Sequence, residues 1–305
     1  MEVEAARQRR SRIPRVAALV LPVLALAALA VLVDHRRAVF LAALHAAPGW
    51  LLVCAVLLQL VALLARSEAW RLCVGAAGAT VSRRCVFRAS GLGGLAGLLN
   101  GQAGVAGRIA ALRRSGPGRC PGVGTLVAAE VPILAVEASL AALTSFTLLG
   151  PLGLPWWVAV LCVAGAAGLI ASLGAVSRRR VAGPWGGLAV LRTLEGRGRI
   201  VVLVLVAVLS QIARNWLALH ALGVDASVFD AIAVLIAMVT LSQLPIGPSV
   251  GAAAVVLILG ADGVALTAAA GVLLSATGMA GTLCFGAWAF ADRLVPGGRV
   301  GAGAA

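Results

Sequence analysis

The sequence predicts an all-α polytopic integral membrane protein with about six spanning helices plus two re-entrant helix hairpins in an inverted repeat. Composition is the first reason: 61% of the 305 residues are hydrophobic and 12% are charged, against about 45–50% and about 25% in a soluble domain. The other two reasons are apolar runs long enough to span a bilayer as helices and the arginine clusters that separate these runs. A water-soluble core of this chain length has no room for such an excess of apolar side chains.

The formal net charge of +14 resides in arginine clusters beside the apolar runs. Such clusters are typical of cytoplasmic loops that face anionic lipid, so they predict topology and not a nucleic-acid partner. The 6 cysteines form no CxxC pair, and no histidine stands at metal-ligand spacing. We therefore expect no disulfide framework, no metal site and no cofactor.

Residues 1–15 form a basic segment, and the apolar run Val16–Val33 follows it. A signal peptide has a similar pattern. The run is long enough to span a bilayer at about 1.5 Å per residue, and Asp34 and basic residues follow it instead of a small-residue cleavage site. We expect an uncleaved first helix behind a basic cytoplasmic N-terminus.

Further apolar runs divide by length into spans and shorter segments. Those near or above the roughly 17–25 residues of a spanning helix are Trp50–Ala65, Val123–Leu149, Trp156–Val176, Ile200–Leu222 and Val264–Phe290. The shorter ones are Ala89–Leu99, Ala231–Leu244 and Ala252–Gly260.

The first short run, Ala89–Leu99, is followed by Asn100. If it spanned the membrane, about ten arginines between Arg108 and Arg199 would lie outside, against the positive-inside rule. If residues 88–112 instead enter from the cytoplasm and turn back, 22 of the 25 basic residues are cytoplasmic, the exceptions being Arg36, Arg37 and Arg214. The charge pattern therefore predicts a re-entrant hairpin here and cytoplasmic loops at 66–88, 108–119 and 178–199.

A second hairpin is predicted over Phe229–Gly260 from its helix breakers. Pro245, Pro248 and Gly251 separate its two short apolar runs, and no continuous helix tolerates that segment. The preceding loop, 223–227, carries no arginine, so we expect entry from outside. The breakers would leave helix ends facing a cavity, where unpaired N–H groups favour an anion.

Each half of this arrangement is a span, a re-entrant pair and a span, and the second half is the first one inverted. Inverted repeats with broken helices near the midplane are the architecture of many transporters. We expect a single transmembrane domain over residues 16–290, with repeat halves at roughly 50–149 and 200–290, and a Gly-rich cytoplasmic tail over 291–305. The alternative is that both breaks are loops between ordinary helices.

Ionisable residues inside spans are candidate site residues, because an unpaired charge there is costly. Arg214 lies inside a span and shares a helix face with Gln211 and Asn215. Two readings stay open. In one, Arg214 contacts a lipid phosphate in a polar cavity; in the other, it forms a structural ion pair across the bundle.

The carboxylates for such a pair would be Glu130 and Glu137, which share one face of the span Val123–Leu149. Pro132 lies between them and is expected to kink that helix.

Three stretches resemble motifs of the transmembrane, flippase-like domain of bacterial lysylphosphatidylglycerol synthases and of the stand-alone membrane proteins that share it. They are RSEAWR at 66–71, NGQAGVAGR at 100–108 and PIGPSVG at 245–251. The resemblance covers roughly Trp50 to Phe290 and implies a lipid-handling membrane fold. In the full-length synthases a separate soluble domain transfers the aminoacyl group; only a short tail follows Phe290 here, so we expect no such domain.

This chain departs from the family pattern at both breaks. The family proline of the first break is missing, Arg108 stands where the family has Glu, and Ala111 stands where it has Arg. After the second break, Ala252 and its neighbours replace a region with a Glu. Family chemistry that needs those carboxylates is therefore not expected.

We expect the chain to translocate or accommodate a lipid or lipid-linked anionic amphiphile in the cell (plasma) membrane, with both termini cytoplasmic and no catalytic activity. The candidate substrate-binding residues are Arg214, Gln211, Asn215, Asn100, Pro245, Pro248, Gly251 and Glu137. One alternative, favoured by the missing carboxylates, is a non-catalytic partner subunit of an envelope-lipid synthesis enzyme. The other is a lipid-phosphate-modifying membrane enzyme, for which the only acid–base cluster is Asp225, Asp230 and His220.

Overall fold

The helices of the computed structural model follow one another in the order α1 (Gly49–Ala76), α2 (Arg83–Gly97), α3 (Gly101–Ser115), α4 (Val123–Ala128), α5 (Val131–Leu143), a 3-10 turn (Ser145–Leu148), α6 (Trp157–Arg179), α7 (Leu194–Ala221), α8 (Val228–Leu241), α9 (Val250–Leu259) and α10 (Val264–Leu294). The structure describes residues 45, 47–79, 81–98, 101–115, 122–179, 188, 190–191, 194–242, 250–260 and 264–294. Every regular element in these ranges is helical, which confirms the all-α prediction.

Within these ranges, five helical segments are long and apolar enough to cross a membrane: α1, the α4–α5 segment, α6, α7 and α10. Their outer surfaces carry large apolar side chains, such as Trp50 and Leu57 on α1, as expected where lipid replaces water. The remaining predicted span, Val16–Val33, lies outside the described residues, as do the basic N-terminus and the Gly-rich tail from residue 295 onward.

Helix α1 is longer than predicted and continues to Ala76. Its last turns are held by burial, because Trp70, Cys73 and Val74 are at most 1% exposed in the core beside α2 and α3. Gly78 then adopts a φ of 83°, a left-handed conformation that favours glycine, and the chain turns towards α2.

The helix predicted over Val123–Leu149 is interrupted just before Pro132, where a kink is expected, and it ends earlier than predicted, at Leu143. Helix α4 ends at Ala128, α5 begins at Val131, and a 3-10 turn follows α5. Pro132 stands in the first turn of α5, directly after this interruption, where its missing N–H costs nothing. Glu130 lies at the break between α4 and α5.

Helices α1 and α7 pack against each other most extensively, and α10 packs against both. Helix α2 pairs with α3 and α8 pairs with α9, at the positions of the two predicted hairpins. In the predicted inverted repeat, α1 corresponds to α7, α2 to α8 and α5 to α10. The contact of α1 with α2 then corresponds to that of α7 with α8, and the contact of α1 with α10 corresponds to that of α7 with α5. The two larger hydrophobic cores lie around Trp70 and Ile200 and around Leu219 and Leu274, so the middle of α7 lies between them. A smaller cluster of Ala62, Ala65 and Ala207 packs α1 against α7 there.

Glycines let neighbouring helices approach closely at the α9–α10 and α2–α3 crossings. A Cβ atom added at Gly271 of α10 would lie 2.6 Å from the carbonyl oxygen of Gly251 and 2.7 Å from the nitrogen of Ala252, both on α9. A Cβ atom at Gly93 of α2 would lie 2.9 Å from the carbonyl oxygen of Gly104 on α3. Such close backbone contact is typical of membrane helix pairs.

Candidate functional site

Arg214 lies about two turns before the end of α7, and its guanidinium is enclosed by the bundle, with 4% of the residue exposed. Its Nη1 donates a hydrogen bond to Oε1 of Gln59 on α1, and its Nη2 donates to Oδ1 of Asn215 at 3.2 Å. Gln59 and Asn215 are themselves buried. Both partners are neutral, and none of the ion pairs in the described ranges involves Arg214.

Two donors of this cluster remain unsatisfied. Nε of Arg214 and Nδ2 of Asn215 are buried and have no hydrogen-bond partner within the described part of the chain. A buried donor without an acceptor costs about 1–3 kcal/mol, and more when it is charged. The cluster is therefore chemically complementary to an anion or to phosphate oxygens.

Helix α10 makes room for these long polar side chains with two glycines. A Cβ atom at Gly278 would lie 3.0 Å from Nη1 of Arg214, and one at Gly281 would lie 2.6 Å from Cγ of Gln59. Sequence reasoning missed Gln59, Gly278 and Gly281 as members of this site. The available signal was Gln59, the one amide inside an otherwise apolar run.

The predicted ion pair between Arg214 and Glu130 or Glu137 is wrong. Glu137 instead pairs with Arg66 in the second half of α1, at 2.6 Å, and Glu130 pairs with Arg108 of α3. The break before α5 places Glu130 beside α3, and α5 turns Glu137 towards α1, so that arginines nearer than Arg214 take both carboxylates.

The Arg108–Glu130 pair is deeply buried. Both residues are under 9% exposed, and the Arg108 guanidinium stacks on the fully buried ring of Trp70, 4.6 Å from its centroid. The Arg108 guanidinium contacts the Glu130 carboxylate directly, and no other donor in the described ranges bonds to either Glu130 oxygen. Attraction of the opposite charges and the cation–π contact therefore hold this pair.

The remaining predicted site residues do not join Arg214. Gln211 lies one turn earlier on α7 and is half-buried. Gly251 lies in α9 and packs against α10. Asn100, Pro245 and Pro248 lie outside the described residues. Of the predicted set, the structure thus brings together Arg214 and Asn215.

Arginine-rich helix ends gather at one end of the bundle, which we name the arginine-rich end. Glu68 of α1 accepts hydrogen bonds from Arg71, at 2.7 Å and 3.0 Å, and from Arg83 at the start of α2, at 3.2 Å. Asp292 near the end of α10 accepts from Arg84 and Arg88 of α2. The hydrogen bond and charge of Asp292 raise the pKa of Arg84 from its ordinary value, so this guanidinium stays charged.

In the cluster suggested for a lipid-phosphate-modifying enzyme, Asp230 and His220 each contact a neighbour on their own helix or at its start. Asp230 completes a capping box at the start of α8, where it accepts from the nitrogen and hydroxyl of Ser227 at 2.8 and 2.7 Å. The His220 ring packs on Trp216, and its Nδ1 lies 3.0 Å from the Trp216 carbonyl oxygen. Over the ranges that the structure describes, no three His, Cys, Asp or Glu residues are placed to hold a metal ion.

Comparison with protein-family models, curated proteins and solved structures finds no match to this chain. The resemblance to the flippase-like domain therefore stays a prediction.

Proposed function

We propose that this chain binds an anionic lipid or lipid-linked amphiphile inside its helix bundle and moves it between the two leaflets of the cell membrane. The observation that carries the proposal is Arg214, a cation buried inside a span whose partners, Gln59 and Asn215, are both neutral. A phosphate group would accept charge-assisted hydrogen bonds from the guanidinium and from the unsatisfied Asn215 amide. It would also offset a charge that is otherwise costly at this depth.

The α2–α3 and α8–α9 pairs would form the route of the ligand through the bundle. In our topology the α2–α3 pair enters from the cytoplasm and the α8–α9 pair enters from outside, as in transporters built from inverted repeats. The matching contacts of α1 with α2 and of α7 with α8 support this arrangement. The arginine-rich end and both termini would then be cytoplasmic.

The test uses the purified protein in liposomes that contain a fluorescent phosphatidylglycerol analogue. An impermeant quencher reports how fast the analogue exchanges between leaflets. We expect Arg214→Gln to abolish exchange, because it removes the cation but keeps a polar side chain. Arg114→Gln is the matched control, since Arg114 is exposed at the end of α3.

A folded Arg214→Gln protein that exchanges the analogue at the wild-type rate would refute the proposal. Folding is checked from the thermal unfolding of each variant in detergent.

A second candidate function, a non-catalytic partner subunit of an envelope-lipid synthesis enzyme, is favoured by α6. No residue in the apolar window of this helix is buried, and its main contacts are with α5 and the 3-10 turn. Most of its surface is thus open to lipid or to another membrane protein. Exchange by the reconstituted chain alone would support the first candidate. Exchange that requires the added enzyme would support the second.

A further inference from the structure

A cleft of about 470 Å³ lies between α1 and α7 at the arginine-rich end. Its lining includes Glu68, Arg71 and Leu72 from α1, and Arg199, Val202 and Leu203 from α7. It contains no residue of the Arg214 cluster or of the Arg66–Glu137 and Arg108–Glu130 ion pairs.

The depth of this cleft is that of lipid headgroups. At 1.5 Å per residue, Arg71 lies about 32 Å along α1 from the exposed Trp50, close to the roughly 30 Å thickness of the hydrocarbon core. By the same measure, Arg199 lies about 32 Å along α7 from His220. With Trp50 and His220 at one membrane surface, both arginines lie at the other.

We propose that this cleft binds the phosphate of an anionic phospholipid from the adjacent leaflet. Arg71 is held in place because its Nε and Nη2 donate to Glu68. Its Nη1 makes no hydrogen bond within the described ranges. Arg199 is paired with Glu195 at 2.6 Å, but both side chains are mostly exposed. Such an exposed pair contributes little to stability, so Arg199 turns readily to a phosphate.

The apolar part of the lining selects a lipid over a free anion. Val202 is 58% exposed, and Leu72 and Leu203 are half-buried beside it. These side chains continue from the basic rim towards the hydrocarbon core, where an acyl chain can cover them. Inorganic phosphate offers the charge but leaves this apolar surface uncovered.

This site is independent of the proposed transport function. Arg199 and Arg214 are separated by about 22 Å along α7, and the two sites share no residue. We expect the lipid to bind at headgroup depth whether or not it then enters the bundle for transport.

The test measures lipid binding to the full chain by native mass spectrometry in a neutral detergent, with phosphatidylglycerol and phosphatidylcholine as ligands. The double variant Arg71→Gln/Arg199→Gln should weaken phosphatidylglycerol binding by roughly tenfold or more, since each charge-assisted hydrogen bond contributes about 1.5–3 kcal/mol. Gly198→Leu should weaken it as well without changing any charge. Gly198 lines the cleft, and a Cβ atom there meets nothing within 4 Å.

The matched control is Arg113→Gln/Arg114→Gln, which removes two exposed charges from α3. It should bind phosphatidylglycerol as the wild type does, and phosphatidylcholine should bind all variants alike. Wild-type binding by the Arg71→Gln/Arg199→Gln protein, or equal loss in the control, would overturn the proposal. Displacement of the lipid by an equal concentration of inorganic phosphate would instead show a site for free anions, and would also overturn it.

Discussion

The side chains of Arg214 and Gln59 join the two central helices, because Nη1 of Arg214 on α7 donates to Oε1 of Gln59 on α1. A glutamine satisfies the hydrogen bond but supplies no negative charge. The bundle thus holds a cation in a fixed position while its charge stays available to a ligand.

Replacing Gln59 by Glu should separate binding from stability. The new carboxylate would pair with Arg214 and supply the missing anion, so we expect a higher unfolding temperature and loss of leaflet exchange. Gln59→Leu, the matched control, leaves Nη1 of Arg214 without its acceptor and should lower stability by about 1–3 kcal/mol. Unfolding in detergent and the quenching assay measure both effects. Full lipid exchange by the Gln59→Glu protein would contradict a binding role for Arg214.

The Arg108–Glu130 pair should be structural. Glu130→Gln leaves Arg108 buried without its counter-ion, so we expect a loss of about 3–5 kcal/mol. The control is Glu195→Gln, which breaks the exposed pair with Arg199 and should cost under about 1 kcal/mol. Chemical unfolding of the purified variants checks the difference. Equal stabilities of the two variants would show that burial adds nothing to this ion pair.

The α9–α10 crossing should tolerate no side chain at Gly271. Gly271→Ala places a methyl group against the backbone of Gly251 and Ala252, so we expect a loss of about 1–3 kcal/mol from overpacking. Gly168→Ala on α6 is the control, because a Cβ atom there meets nothing within 4 Å. It should leave stability unchanged or raise it slightly, since alanine is the better helix former. An unfolding temperature of Gly271→Ala at or above that of the control would refute the tight crossing.

Topology can be tested with single cysteines in a cysteine-free protein. We expect an impermeant thiol reagent to leave Gly116→Cys unlabelled in intact cells, because the charge pattern places residues 108–119 in the cytoplasm. Asp225→Cys, in the exposed loop before α8, should be labelled. Permeabilised cells provide the control for reactivity. Strong labelling at position 116 in intact cells would rule out the first re-entrant hairpin.

Hydropathy and helix breakers were enough to predict the helical class and the approximate positions of the spans. They could not predict which helices lie inside the bundle. Helices α6 and α7 have nearly the same mean hydropathy, 2.2 and 2.0, yet 0% and 33% of their apolar windows are buried. The difference arises from contacts with distant parts of the chain, which local composition does not record.

Side-chain pairing was predictable only within a helix. Arg214 and Asn215 are neighbours in the sequence, so the guanidinium and the amide lie in the same helical turn. Their hydrogen bond follows from that position. The partners of Glu130 and Glu137 depended on the break before α5 and on how α5 is rotated against α1 and α3. Sequence periodicity gives the face of a helix but not the neighbour that the face meets.

The attachment of α2 to α10 has a mechanical consequence. Asp292 binds Arg84 and Arg88 at one end of this pair, and further along it a Cβ atom at Gly91 would lie 2.6 Å from Cβ of Ala289. The two helices thus contact each other at successive turns, and we expect them to move as one rigid body. Since α10 also carries Gly278 beside Arg214, any tilt of the first hairpin would change the space around the guanidinium. We expect spin labels on α2 and α10 to keep their separation when lipid binds, while the distance from either label to α7 changes.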